Sequence, residues 1–245
     1  MSAPKIGVVM FDAATDAPSV IRAVDLAGGT PVKLHPKTTV APDLADLAVV
    51  IIPGGFSYGD YLRAGALAAT QPIMRLVQDA VEAKELTLIG LGNGFQVLTE
   101  AKLLPGGFIA NASPGYQHSE VDYVIEDNST AITSAYEPGE YIRLVHKGAY
   151  AQYTATEDEL AELERSGNVI VRTTVSNMDS VNNIAGISSD NGLVLGLMAS
   201  PEYAIEAGFG TDHPDGPGFG VDGQGLFVSL VRAARAAKGK GVVGE

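Results

Sequence analysis

Cysteine is absent from the 245 residues. That excludes a disulfide framework, a thiolate metal site and a thiol nucleophile. Basic residues are few: 16 Lys and Arg stand against 29 Asp and Glu, for a net charge of −13. Such a balance disfavours nucleic acid or an anionic membrane as the main partner, and neither is expected. The acids are scattered, as on a solvated surface. No run reaches the ~20 apolar residues of a membrane span. The N-terminus, MSAPKIGVVMF, passes straight into a strand pattern, without signal-peptide layout. A cytoplasmic protein is expected. Internal repeats are missing, and so is a linker that would split the chain. With 46% apolar residues, the length suffices for one large core. Residues 1–245 therefore read as a single domain, with 238–245 as a mobile tail. His35, His118 and His213 are too scattered to form a metal cluster. No metal and no cofactor is expected.

The stretch TLIGLGNGFQVLTEAKLLPG, residues 87–106, organises the rest. An apolar strand over 87–89 meets a glycine cluster, and a helix-forming run follows over 95–104. In α/β hydrolytic enzymes such a sharp turn lifts a nucleophile beside the N–H groups of a helix N-terminus. Here the outermost position, Gly92, has no side chain.

Short apolar strands are predicted over 5–11, 30–35 and 47–53, typical of a buried parallel sheet. Asp16 is a candidate cap for a helix with Pro18 in its first turn, running to Ala27. A helix is predicted over 73–84. The spacing indicates a doubly wound α/β sheet. After the third strand, Gly54 and Gly55 open a long aromatic and charged loop, at the strand end where such sheets build sites. Peptide N–H groups there can face a ligand oxygen. Beyond Pro105 the pattern turns to strands, over 120–125, 141–146 and 168–175. A short helix over 157–165 is capped by Thr156. Strands over 182–187 and 193–198 flank an Asp190-Asn191-Gly192 hairpin turn. A brief helix over 201–207, a Gly/Pro/Asp-rich loop over 209–225 and a helix over 226–237 complete the chain.

Four segments carry a resemblance: PGGFSYGDYLRAGA (53–66), GLGNGFQVLTEAKLLPG (90–106), SVNNIAGI (180–187) and GLVLGLMASPE (192–202). In order and spacing they resemble the class I glutamine amidotransferase subunits of phosphoribosylformylglycinamidine synthases, across roughly residues 5–207. The resemblance implies a class I glutamine amidotransferase-like, flavodoxin-like fold: a mostly parallel sheet with helices on both faces. It also implies glutamine hydrolysis by a cysteine, a histidine base and an orienting glutamate. Ammonia then passes to a synthetase subunit.

Carried over by position, the chemistry is incomplete. Gly92 occupies the cysteine position and Ser200 the histidine position; Glu202 alone is retained. The loop after the first strand reads Asp12-Ala13-Ala14-Thr15-Asp16 where the family has a Pro-Gly-Ser-Asn type. His146-Lys147-Gly148-Ala149 stands where the family has His-Gly-Glu-Gly. The Gly54-Gly55 turn is intact, and with Asn93 and Gln96 it is expected to line the oxyanion site and pocket. Ser57, Tyr58, Asp60, Arg63, Ser180, Asn182 and Asn183 keep family wording and are expected to face the partner. Without a thiolate the family's acyl-enzyme route is closed, and serine is no base near neutral pH. Ser200 with His146 is the one alternative catalytic pairing. Glu202 is either an orphaned triad member or an acid at a helix start.

Two functions follow. One is a glutaminase-like subunit that has lost hydrolysis. It supports a formylglycinamidine-synthase-type synthetase in ATP-dependent C–N bond formation, with a small amine or carboxylate as a pocket ligand. The alternative is an enzyme with a repurposed elbow pocket, in a specialised biosynthetic pathway.

Overall fold

The computed structural model describes residues 2–40, 44–174, 180–207 and 220–240, with side chains to residue 237. His213, Val175, most of the expected 209–225 loop and the last five tail residues lie outside the described residues. The first part of the expected tail belongs to the closing helix, α6 (Gln224–Lys240).

Nine strands form one mixed sheet. Its parallel half joins β2 (Thr30–Leu34), β1 (Lys5–Val9), β3 (Val49–Ile52), β4 (Thr87–Leu91) and β11 (Val194–Leu197) in that order. Its antiparallel half adds β10 (Ile184–Ser188), β9 (Val169–Thr173), β6 (Gln117–Ile125) and β7 (Tyr141–Gly148). Every residue of β3 and β11 is buried, which requires cover on both sheet faces. Helices α1 (Ala17–Leu26), α3 (Pro72–Glu82), α4 (Asn93–Glu100) and α6 supply it; α2 (Ala66–Ala69) packs on α4.

Local chemistry explains several boundaries. Helix α5 (Glu157–Ser166) starts at a capping box between Thr156 and Glu159 and stops at left-handed Gly167. The expected helix beyond Pro201 is a single 3-10 turn, Pro201–Tyr203. The strand expected from residue 182 begins at Ile184, because Asn182 and Asn183 both have positive φ. A two-stranded sheet of β5 (Gly107–Ile109) and β8 (Gln152–Thr154) has no counterpart in the sequence pattern; three residues are too few to show alternation.

Candidate active site at the elbow

The ends of β1, β3, β4 and β11 bring together the loops at residues 12–16, 54–63, 92–93 and 199–203, where open α/β sheets bind ligands. Strand β7 lies at the far edge of the sheet, yet it returns to this point. Val145 bridges to Ser200, whose N–H donates to the Val145 carbonyl at 2.8 Å.

Gly92 is the strand-to-helix turn, as expected, with φ 52° and ψ −115°. A side chain there would find room: a Cβ would lie 3.7 Å from Gly54 Cα and 3.9 Å from Ser200 Oγ. The backbone conformation, not space, favours glycine. At Gly94 the reverse holds, since any Cβ would strike the Ile52 carbonyl. Helix α4 therefore sits directly on the end of β3.

Asn93 and Gln96 are buried and extend the elbow outward. Asn93 Oδ1 accepts from the Ser57 N–H at 3.0 Å. Its Nδ2 donates to Gln96 Oε1 at 2.7 Å and to Asp60 Oδ1 at 3.2 Å. Gln96 Nε2 donates to the Tyr150 carbonyl. Burial pushes Asp60 up to about 6, against the hydrogen bond from Asn93. These amides thus hold one another and the 57–60 loop.

Asp16 occupies the cap position of α1 but makes no capping hydrogen bond, a correction to expectation. Its carboxylate turns away from the helix. Oδ1 accepts from Lys147 Nζ at 2.6 Å and from the Tyr203 hydroxyl at 2.9 Å. The Lys147 ammonium also lies 4.3 Å from the centre of the Tyr203 ring. Burial works against the Lys147 charge, but Asp16 above all, with Glu202 and Tyr203, more than offsets it, so its pKa is held above the ordinary value. Asp16 Oδ2 has no hydrogen-bond partner among the described residues and presses on Gly54, where a side chain of residue 54 would stand.

Glu202 is 2% exposed; among the described residues no well-aligned hydrogen bond reaches either carboxylate oxygen, although its own N–H and the Ser200 side chain lie close enough to favour the charged form. Burial, and next the Asp16 charge, push it up to about 8. The group is therefore mainly protonated at neutral pH.

The pairing of Ser200 with His146 is not formed. His146 Nδ1 meets the Tyr123 hydroxyl at 2.8 Å inside the sheet, and burial lowers the imidazole to about 4. Ser57 and Ser180 are buried within this chain, so neither side chain stands on the surface where a partner-facing residue is expected. The Ser57 N–H is spent on Asn93, and Ser180 Oγ accepts from the Tyr153 N–H at 3.0 Å. Asn182 is exposed; its carbonyl and amide bind Arg172 and Glu164. Asn183 and Tyr58 are half-buried, and Arg63 is exposed and paired with Glu100 at 2.6 Å.

Beside Gly92 remains a cavity of about 10 Å³, bounded by Asp16, Gly55, Asn93, Lys147 and Gly148 among others. That is room for about one water. A groove of about 1430 Å³, with Leu44, Leu76, Leu193 and Arg232 in its wall, shares no residue with the elbow. Among the described residues, no cluster of His, Asp and Glu has metal-binding form.

The fold and the strand–Gly92–helix elbow define a domain of the glutamine amidotransferase type. The chain belongs to the CobB/CobQ-like glutamine amidotransferase domain family, whose family model matches residues 3–231. It is 39% identical over 230 residues to the phosphoribosylformylglycinamidine synthase subunit PurQ of Leifsonia xyli subsp. xyli, covering 94% of this chain and 97% of that one. It is 44% identical over 228 residues to PurQ of Nocardia farcinica, covering 93% and 96%. Among solved structures, PurLQS from Thermotoga maritima superposes with a TM-score of 0.81 at 32% identity, covering 94% of this chain and 98% of the matched one. The family expected from the four sequence segments is the family found.

Proposed function

We propose that this chain is a PurQ-type subunit that supports a synthetase partner in formylglycinamidine-forming chemistry without hydrolysing glutamine. It acts as a single domain, in the cytoplasm, in purine biosynthesis. The ligase step, ATP-dependent and C–N bond forming, belongs to the partner.

One observation carries this reading. Where acyl transfer needs a nucleophile at residue 92 and donors for an oxyanion near Gly54, there is a bare glycine and the unpartnered Asp16 Oδ2. A carboxylate against that turn opposes the negative charge that an oxyanion site must stabilise. Glu202, protonated and buried, has no imidazole to orient: Ser200 occupies that position, and His146 is bonded elsewhere.

The loop 57–63 supports a docking role. Tyr58, Asp60 and Leu62 all have positive φ, a conformation that costs non-glycine residues of order 1–3 kcal/mol each. Backbone and side-chain bonds pin the loop: Tyr58 N–H to the Asp12 carbonyl at 2.8 Å, and Arg63 to Glu100. The pinned loop presents Tyr61 and Leu62, 73% and 85% exposed. Aromatic anchors on a rigid support are what protein interfaces use.

Two measurements test the proposal together. Size-exclusion chromatography at micromolar concentration should show a complex with the PurL-type synthetase of the same host. A glutamate-release assay on that complex should stay at background. Glutamate release dependent on this chain would overturn the non-hydrolysing role, and failure to associate would overturn the supporting role.

A further inference from the structure

The loops 12–16 and 146–149, which the resemblance sets apart from the family's wording, are far apart in sequence. In the structure they meet. Asp16 and Lys147 form an ion pair with side chains 1% and 14% exposed, and Tyr203 braces both partners. Both residues bound the cavity beside Gly92, and together with Phe56, Tyr116 and Met198 they leave about 10 Å³. A pocket for a drug-sized or metabolite-sized ligand is typically about 300–1,000 Å³.

We propose that Asp16 and Lys147 are specificity-determining residues of the elbow pocket: their ion pair fills the approach to Gly92 and excludes glutamine-sized amides, admitting nothing larger than water or ammonia. This rests on the reading of the site as non-hydrolysing and goes further. It holds that the substrate does not bind, not merely that it does not react.

The physical argument has two parts. The first is occupancy, since an amide would have to displace Lys147 from Asp16. The second is energetic. Breaking a buried ion pair leaves an unpaired charge in low dielectric, which is strongly unfavourable. A ligand must offset that cost before gaining any contact.

The test is titration of the full chain with L-glutamine by isothermal calorimetry, with glutamate release followed on the same samples. The unaltered chain should show no saturable binding at millimolar glutamine. Lys147→Gly alone strands the Asp16 charge and is a poor probe, so the opening variant is Asp16→Ala/Lys147→Gly. It should bind glutamine at least about tenfold more tightly than the unaltered chain. The near-isosteric, uncharged Asp16→Asn/Lys147→Met removes the ion-pair cost but keeps the pocket filled, and should bind glutamine at least about tenfold more weakly than the opening variant. Saturable binding by the unaltered chain overturns the proposal, as does a folded opening variant that gains no affinity. Binding by the isosteric variant as tight as that of the opening variant overturns it too, since occupancy would then contribute nothing. Glutamine bound without glutamate release would overturn exclusion while leaving the non-hydrolysing role intact, so the two failures are distinguishable.

Discussion

Lys147 Nζ lies 2.6 Å from Asp16 Oδ1 across 131 residues of chain, and this contact ties the last turn of β7 to the N-terminus of α1. It puts a cation and an anion beside Gly92, with protonated Glu202 nearby. On the function proposed above, the site is more than an amidotransferase centre lacking two reactive atoms. On that reading its Asp16 and Lys147 charges satisfy each other rather than a substrate.

Restoring the missing atoms should accordingly fail. Gly92→Cys/Ser200→His is expected to fold, because a Cβ at 92 has space. It should lose about 1–3 kcal/mol of stability, the cost of a side chain at φ 52°. Glutamate release should remain at background in each single variant and in the pair. Combining the pair with Asp16→Ala/Lys147→Gly should give the first measurable activity, since groups that act as a unit are non-additive. A steady-state glutamate assay on the series checks this; robust release from the pair alone would contradict it.

Glu202 should make stability fall with rising pH. Its folded pKa, about 8, is above the ordinary carboxylate value of 4.5. The folded state therefore holds a proton that the unfolded state gives up between those values. The contribution is full below the unfolded pKa and is lost as pH rises through the folded one. Glu202→Gln should flatten that decline and stabilise the protein at pH 8 by at least about 1 kcal/mol, some 2–4 °C in Tm for a chain of this size. Thermal melts at pH 5, 6.5 and 8 provide the measurement, and parallel curves for both proteins would count against it.

The exposed pair on the pinned loop should carry partner affinity. Tyr61→Ala should weaken the complex by about 1–2 kcal/mol, roughly 5–30-fold in Kd, as aromatic interface anchors do, and Leu62→Ala by less. Stability should change little, because both side chains are solvent-exposed. Arg63→Ala should act more weakly, as a rim charge, and chiefly on the association rate. Surface plasmon resonance against the synthetase separates these effects; unchanged kinetics in all three variants would move the interface elsewhere.

What the sequence made legible was what short-range chemistry decides. The elbow at Gly92 follows from an apolar run, a glycine cluster and a helix former in succession. Thr156 with Glu159 marks the start of α5 within four residues. The Asp190–Gly192 turn joins β10 to β11 as expected. The rest depends on chain return. Asp16 looked like a helix cap because its local context is that of a cap, and only the return of β7 past Ser200 supplies a stronger partner. Ser57 and Ser180 kept family wording, yet both serve the interior, and burial is not written in a motif. His146 reads as a reactive candidate in the sequence, but its ring is bonded to Tyr123, 23 residues away on β6.

The decisive measurement is nitrogen-source dependence in the reconstituted complex of this chain with its PurL-type synthetase. Formylglycinamidine ribonucleotide formation is followed with ammonium chloride or L-glutamine as the only nitrogen donor, at matched ATP and substrate. Product should form with ammonium and stay at background with glutamine, however much of this chain is added. Glutamine-supported turnover that rises with this chain and disappears without it would contradict the reading outright.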